Sequence, residues 1–462
     1  MLLSRGDVKG SCEGFGIASS EWLLAGYEHP ARTYHLRSSL NFLSHVGLNS
    51  MQRLIDSFHP GQRVFTGGFT GESALLNEEL HADPERASGV TFSAVQFPGI
   101  DSIDFLAVHP QAKLSAYFMT PAVRAGLRQG RAELFNLDYP GVARHLRDGL
   151  AFDVAIAQLT LPDADGYCSA GLAADFMPIV WPRAKRRVAH LNPSLPRTRG
   201  SWRVHISEIE VAVEADRPVL PVTDAPSGEM EAHIGAHVAQ LVRDGDTLQF
   251  GIGSVPSALG HSLTAHRHLR FYGGMLPSAV RTLWEAGAMD TDARITTGVV
   301  LGESSLHDWA AQLAPLWLTD VTHTHSVTAL GAIPRLMAIN SALEVDLFGQ
   351  VNSERAHGVI QAGAGGLPAF AQGALNSPGG HLFICLGATA RQGTVSRIVP
   401  SLGAQGLCTL PRSMADVVVT EHGAAQIRHL SLDARAQALI SIAAPEHRHA
   451  LANDWDELMR KA

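Results

Sequence analysis

Cysteine is scarce in this chain: four among 462 residues (Cys12, Cys168, Cys385 and Cys408), and no two are spaced as a CxxC pair. That spacing excludes a disulfide framework and a cysteine-clustered zinc site, and reads as reduced, structural thiols. Charge is also thin. Charged residues make up 17%, and 36 Lys+Arg against 44 Asp+Glu leave a formal net charge of −8. Such a chain has no general electrostatic pull on nucleic acid or an anionic membrane, although a local basic patch can still grip a phosphate. No uninterrupted apolar run approaches the roughly 18 residues of a membrane-spanning helix. Arg5 and Lys9 are followed by no apolar stretch of signal-peptide length. The expectation is a cytoplasmic chain without nucleic-acid or membrane partners.

What is abundant is apolar: hydrophobic residues reach 45%, with 44 glycines and 24 prolines scattered rather than repeated. Disordered and collagen-like readings therefore fail, and the length suggests two or three domains with substantial cores. Residues 1–45 have weak periodicity and read as an appendage to the first domain. After them, Arg63-Val64-Phe65 reads as a strand, Gly67-Gly68-Phe69-Thr70-Gly71 as a turn, and a helix is expected from near Glu72. Further strands are expected at 90–95, 114–118, 154–159 and 188–191. The proline-rich stretch around 214–230 reads as a linker. The pattern then restarts: a helix over 234–242, a strand over 247–250, the turn Gly251-Ile252-Gly253, and a helix carrying Ala258 and Leu259. Strands at 338–339, 344–347, 382–386 and 417–420 are expected to complete a second open sheet. The fold class is α/β, with domains at 1–220 and 221–462. Strands feeding glycine-rich turns and helices make anion-friendly crevices at the carboxyl ends of a sheet, though any one such glycine is as well explained by backbone geometry.

Longer strings carry more information. They are Asp163-Ala164-Asp165-Gly166-Tyr167-Cys168-Ser169; Asn192-Pro193-Ser194-Leu195-Pro196-Arg197; Gly251-Ile252-Gly253; the run from Ala338 to Glu354 (AINSALEVDLFGQVNSE); Gly393-Thr394-Val395-Ser396-Arg397; and Val418-Val419-Thr420-Glu421-His422-Gly423. In this order and spacing the sequence, over roughly residues 60–450, resembles the acetyl-CoA hydrolase/transferase family, including 4-hydroxybutyrate and acetate CoA-transferases. The resemblance implies two tandem open-sheet domains of the NagB/RpiA/CoA-transferase-like fold with acyl-CoA in the interdomain cleft. It also implies a likeness to enzymes in which a glutamate carboxylate attacks the thioester and becomes a glutamyl-CoA intermediate.

At the position matching that glutamate, within Tyr272-Gly273-Gly274-Met275, stands Gly274. Glycine offers no carboxylate, so the nucleophile of the resemblance is lost here. Two further departures accompany it. The family's Gly-Gly-Gln-x-Asp-Phe is here Gly365-Gly366-Leu367-Pro368-Ala369-Phe370, and the lysine before Gly-Thr-Val-Ser-Arg is Gln392, with Arg391 beside it. The resemblance nevertheless leaves a CoA-binding set: Gly251, Ile252, Gly253, Ser254, Val255, Gly365, Gly366, Arg391 and Gln392. Arg197, with Arg199 and Arg203, is the best basic cluster for a CoA phosphate, and a solvated face accounts for it equally well. Asn352, with the amides of Gly251–Gly253 and Gly366, is the candidate oxyanion cradle. Glu303 and Glu354 are the carboxylates to weigh as replacements, and each is more simply a solvated or structural acid. Tyr272 and Cys168 read as packing. The alternating His323-Thr324-His325, if extended, would place both rings on one side, yet no third ligand accompanies them, so no metal is expected.

Two functions remain. In the first, an acyl-CoA enzyme acts on the thioester by direct attack of water or a carboxylic acid acceptor, without a glutamyl-CoA intermediate. The second is a catalytically silent CoA-ester binding or regulatory protein. Coenzyme A is expected as substrate rather than resident cofactor, and the chain as a homodimer. Gly274→Glu is expected to restore a carboxylate near the thioester.

Overall fold

The computed structural model describes residues 52–356, 358–403 and 406–461; the appendage expected over 1–45 lies outside them. Seven parallel strands form the first sheet. They are β1 (Arg63–Thr66), β2 (Thr91–Ser93), β3 (Lys113–Ala116), β4 (Ala132–Leu134), β5 (Val154–Leu159), β6 (Arg186–Leu191) and β7 (Val211–Glu214), in the order β4-β3-β2-β1-β5-β6-β7. Every residue of β5 is buried, because a central parallel strand is covered on both faces and so needs apolar side chains in both directions. Alternation divides them. Val154 and Ile156 face a core with Val64, Phe92 and Leu114, while Ala155, Ala157 and Leu159 face one with Phe65, Ala189 and Leu191.

The second sheet has six strands: β8 (Thr247–Gln249), β9 (Arg270–Phe271), β10 (Leu336–Ser341), β11 (His381–Cys385), β12 (Val417–Thr420) and β13 (Gly423–Gln426), ordered β9-β8-β10-β11-β12-β13. Only β13 runs antiparallel, closing one edge against β12. Its two faces alternate in the same way: Leu248, Met337, Phe383 and Val417 on one side, Leu336, Ala338, Ile384 and Val418 on the other. Residues 215–228, between the sheets, contain no helix or strand.

Three expectations need correction. The segment Glu344–Asp346 does not join the second sheet; it pairs with Val351–Asn352 and Ile398–Val399 in a separate three-stranded sheet. The helix expected from Glu72 runs instead over Ala74–Ala82, capped by the Ser73 hydroxyl on the Leu76 amide at 3.1 Å. Glu72 turns away from it, accepting from the backbone amides of Ser102 (3.1 Å) and Ile103 (3.2 Å). Finally, the two histidines of His323-Thr324-His325 do not share a side. Val321–Thr324 is a helical turn, so His323 is exposed and His325 is buried.

Candidate functional site

Both sheets send a glycine-rich turn from a strand's carboxyl end into the same region. In the first half, β1 leads into Gly67–Gly71, which is held from below by Gln158 on β5. Its amide donates to the carbonyls of Thr70 (3.2 Å) and Glu72 (3.1 Å), while Asn192 donates to its Oε1 at 2.9 Å. In the second half, β8 leads into Gly251-Ile252-Gly253 and the helix Ser254–Ser262. Gly253 adopts φ 121°, a left-handed conformation that favours glycine. The turn is open at Gly251, where no heavy atom lies within 4 Å of the position a Cβ would take. An open turn leading into a helix N-terminus presents unpaired amides and the positive end of the helix dipole, which suits an anion.

The turns meet. Ile252 packs against the small cluster of Phe69 from the first turn, Val299 and Leu301, as do Ala173 and Met275, the neighbour of Gly274. The Thr70 hydroxyl crosses between halves to the carbonyl of Val300 at 3.2 Å. Next to this seam, a Cβ on Gly274 would lie 2.7 Å from Cε1 and 3.1 Å from Nε2 of His325. A Cβ on Gly366 would lie 2.5 Å from the same Nε2. The imidazole therefore fills the space between two glycines. Tyr139 meets its ring edge-on with centroids 4.6 Å apart, Phe370 lies at 4.5 Å, and the Thr324 hydroxyl is 2.9 Å from Nδ1. Burial without a charged partner lowers the His325 pKa to about 3, so the ring is neutral at physiological pH.

The first half contributes carboxylates. Asp101 accepts from the amides of Phe69 (2.7 Å) and Phe97 (2.5 Å), stapling its loop onto the glycine-rich turn. Burial, then the nearby Glu72 charge, push its pKa up to about 7. Asp175 lines a small cavity of about 20 Å³ that also borders Gly67, Gly68, Gln158, Phe176 and Trp202. Burial, then the charges of Asp101 and Asp320, raise its pKa to about 8. Its backbone is left-handed, φ 44°, and is fixed by the Gly298 carbonyl (3.3 Å) and the Val321 amide (3.1 Å). Among the described residues no cluster of three or more His, Cys, Asp or Glu is arranged to hold a metal. None of the described helices is long and apolar enough to cross a membrane.

Comparison with known proteins bears on this cleft. Residues 46–224 match the acetyl-CoA hydrolase/transferase N-terminal domain and residues 302–455 the C-terminal domain. The chain is 33% identical over 350 residues to 4-hydroxybutyrate coenzyme A transferase of Clostridium kluyveri, covering 74% of this chain and 81% of that protein. The chain belongs to the acetyl-CoA hydrolase/transferase family. Acetyl-CoA hydrolase of Candida albicans is similar at 24% identity, covering 88% of each chain. Among solved structures, RipA from Yersinia pestis superposes with a TM-score of 0.80 at 24% identity, covering 88% of this chain and 96% of RipA. The 4-hydroxybutyrate CoA-transferase of Porphyromonas gingivalis does so with a TM-score of 0.74 at 26% identity, covering 92% of this chain and all of that one. The α/β architecture with its large parallel sheet is thus that of CoA-transferases.

The candidates named from this family member's sequence separate in space. Ile252, flanked by Gly251 and Gly253, packs against the cluster that holds Phe69 of the Gly67–Gly71 turn, with Ser254 and Val255 opening the helix behind it. Gly365 joins them through its carbonyl, which accepts from the Tyr139 amide at 3.0 Å, and Gly366 abuts His325. Asn352 is fully buried and fully occupied. Its amide donates to Glu344 (3.1 Å) and the Arg355 carbonyl (2.6 Å), and its Oδ1 accepts from the Glu354 and Arg355 amides. Neither amide hydrogen is left for an oxyanion. Glu354 is likewise engaged, by the Thr409 hydroxyl at 2.9 Å. Glu303 borders a different, exposed groove with Arg281 and Glu285. Arg391 and Gln392 sit exposed at the tip of the hairpin Thr389–Ala390/Val395–Ser396. Arg197 is spent on Asp163 (3.5 Å) and the carbonyls of Leu161 and Tyr167. Sequence reasoning missed Tyr139, Asp175 and Asp101, which carry no motif of their own, and treated His325 only as a possible ligand.

Proposed function

We propose that this protein is an acyl-CoA enzyme that acts on a CoA thioester without a glutamyl-CoA intermediate, by direct transfer to a carboxylic acid or by hydrolysis. The observation that carries this reading is the pairing of Gly274 with His325. The position that the resemblance aligns with the nucleophilic glutamate has no side chain, and an imidazole occupies the volume into which one would grow. The persistence of the glycine turns at Gly251–Gly253 and Gly365–Gly366 supports an enzyme over a silent binder. The open Gly251–Gly253 turn offers amides for a phosphate or for the thioester oxygen. The domain boundary near 220/221 belongs to the same reading, supported by the absence of helix or strand over 215–228. So do a homodimer in the cytoplasm and CoA as substrate rather than resident group.

The test is binding followed by turnover. Acetyl-CoA and butyryl-CoA should raise the melting temperature, because a ligand that binds only the native state at 100 times its Kd contributes about 2.7 kcal/mol. Turnover should then appear as free CoA thiol if water is the acceptor, or as a new acyl-CoA when a carboxylic acid such as acetate or succinate is added. An unchanged melting temperature at millimolar acyl-CoA removes both the enzyme and the silent-binder readings; a shift with neither product leaves the silent binder.

A further inference from the structure

Where the two halves meet, the accessible surface is apolar. Phe97 and Ile100 from the first half, Val222 from the stretch between the sheets, and Ile252 and Met275 from the second half all stay partly exposed. They rest on a buried base of Phe69, Val299 and Leu301. Single apolar side chains at a surface are ordinary, but a patch assembled from separate segments marks a binding surface. This one adjoins the site described above. Met275 follows Gly274, and Ile252 is the middle of the turn that is open at Gly251. The Phe97 ring is braced by Phe118 and Phe69, with centroids 5.0 and 6.2 Å away, so it forms a fixed wall.

The polar groups around the patch are spent on the fold. Asp101 gives one oxygen to the Phe69 amide and the other to the Phe97 amide, and the Thr70 hydroxyl donates to the Val300 carbonyl. The amides of Ile100, Val222 and Leu301 donate to the carbonyls of Phe97 (3.2 Å), Gly302 (2.9 Å) and Leu276 (3.0 Å). A hydroxyl or carboxylate laid on the patch gives up water and gains no donor from these groups. At its far side Val222, Met275 and Leu301 lead, within three residues each, to Asp224, Ser278 and Glu303, which line an open groove of about 280 Å³. That groove sets Asp224, Glu285 and Glu303 against Arg281, whose Nε donates to Glu285 at 2.7 Å. A negatively charged acyl terminus reaching it meets an excess of like charge.

We propose that this patch selects the acyl group, taking an unsubstituted aliphatic chain over one that ends in a hydroxyl or a carboxylate. The inference rests on the acyl-CoA reading above and adds the class of acyl group to it. With the thioester at the open turn beside Gly274, the chain lies over Ile252 and Met275 against Phe97.

Calorimetric binding of acetyl-, butyryl-, hexanoyl-, 4-hydroxybutyryl- and succinyl-CoA tests it. Each methylene that the patch covers fully tightens binding about fourfold, so hexanoyl-CoA should bind at least about tenfold more tightly than acetyl-CoA. A terminal hydroxyl on the butyryl chain should weaken binding about tenfold, and succinyl-CoA should bind more weakly still. Met275→Gln keeps the length of the side chain and makes it polar, and Phe97→Ser removes the wall; each should lower the hexanoyl-to-acetyl affinity ratio about fivefold or more. The ratio is independent of the fraction of a variant that folds. The proposal is overturned by wild-type protein that binds hexanoyl-CoA no more tightly than acetyl-CoA, or that prefers 4-hydroxybutyryl- or succinyl-CoA to butyryl-CoA. It is overturned equally by a ratio that both variants leave unchanged. Wild-type protein that binds none of the five esters overturns instead the acyl-CoA reading beneath it, so the two failures are distinct.

Discussion

Gly274→Glu alone should give neither a glutamyl-CoA adduct nor transfer to acetate, whereas Gly274→Glu combined with His325→Ala should give both. The backbone at Gly274 is not left-handed, so the glutamate meets no conformational strain there. The obstacle is the imidazole, 2.7 Å from the new Cβ and locked between Tyr139 and Phe370. Forcing both side chains into that space should destabilise the single variant by about 1–3 kcal/mol. Truncating His325 frees the volume. Intact mass after incubation with acetyl-CoA and borohydride reads the adduct, and a coupled assay for acetate-dependent exchange reads transfer. Rates below those of the relatives are expected, because Leu367 and Ala369 stand where the resemblance has polar groups, and about 1 Å of misplacement costs on the order of a hundredfold. A double variant that folds, binds acetyl-CoA and forms no adduct would show that Gly274 does not occupy the nucleophile position.

Asp175→Asn should stabilise the protein at alkaline pH far more than at acid pH. An unfolded aspartate titrates near 4, and in the folded cleft burial and neighbouring charge raise it to about 8. The native state therefore binds the extra proton between these values, and stability falls as pH rises through that window, with the loss complete above about pH 8. Asparagine has no proton to lose, so the variant escapes the penalty. At about 1.4 kcal/mol per unit for one group, the stability difference between variant and wild type should grow by up to about 4 kcal/mol between pH 5 and 8.5. Urea unfolding at the two pH values measures it, and the buried neutral His325, common to both proteins, cancels. A difference that does not change with pH would show that Asp175 is ionised in the fold.

Much of the scaffold is legible because it follows from local pattern. Val154–Leu159, apolar on both faces except for Gln158, reads as a buried parallel strand, and Gly251-Ile252-Gly253 between a strand and a helix marks its own turn. The edge strands Ala132–Leu134, Val211–Glu214 and Arg270–Phe271 are not legible: two to four residues carry too little period, and their neighbours set their pairing. Glu344–Asp346 misleads because its strand pattern is real while its partners are fixed by distant residues near Ile398. The site divides in the same way. The loss at Gly274 can be read from a string, but that His325 fills the space depends on contact across more than fifty positions. The buried, unpaired hydroxyl of Tyr139 and the buried carboxyl of Asp175 are likewise products of packing, which no motif records. Asn352 shows the converse: its matching string places it in the site, and only the hydrogen bonds reveal that the turn has consumed its amide.

The central claim is that the thioester is attacked without a protein acyl or glutamyl intermediate. Wild-type protein incubated with butyryl-CoA and acetate, treated with borohydride and measured as intact mass should retain its unmodified mass while free CoA or acetyl-CoA accumulates. A CoA-dependent change in mass, mapped by peptide sequencing to any carboxylate, whether Glu303, Glu354 or Asp175, would contradict it.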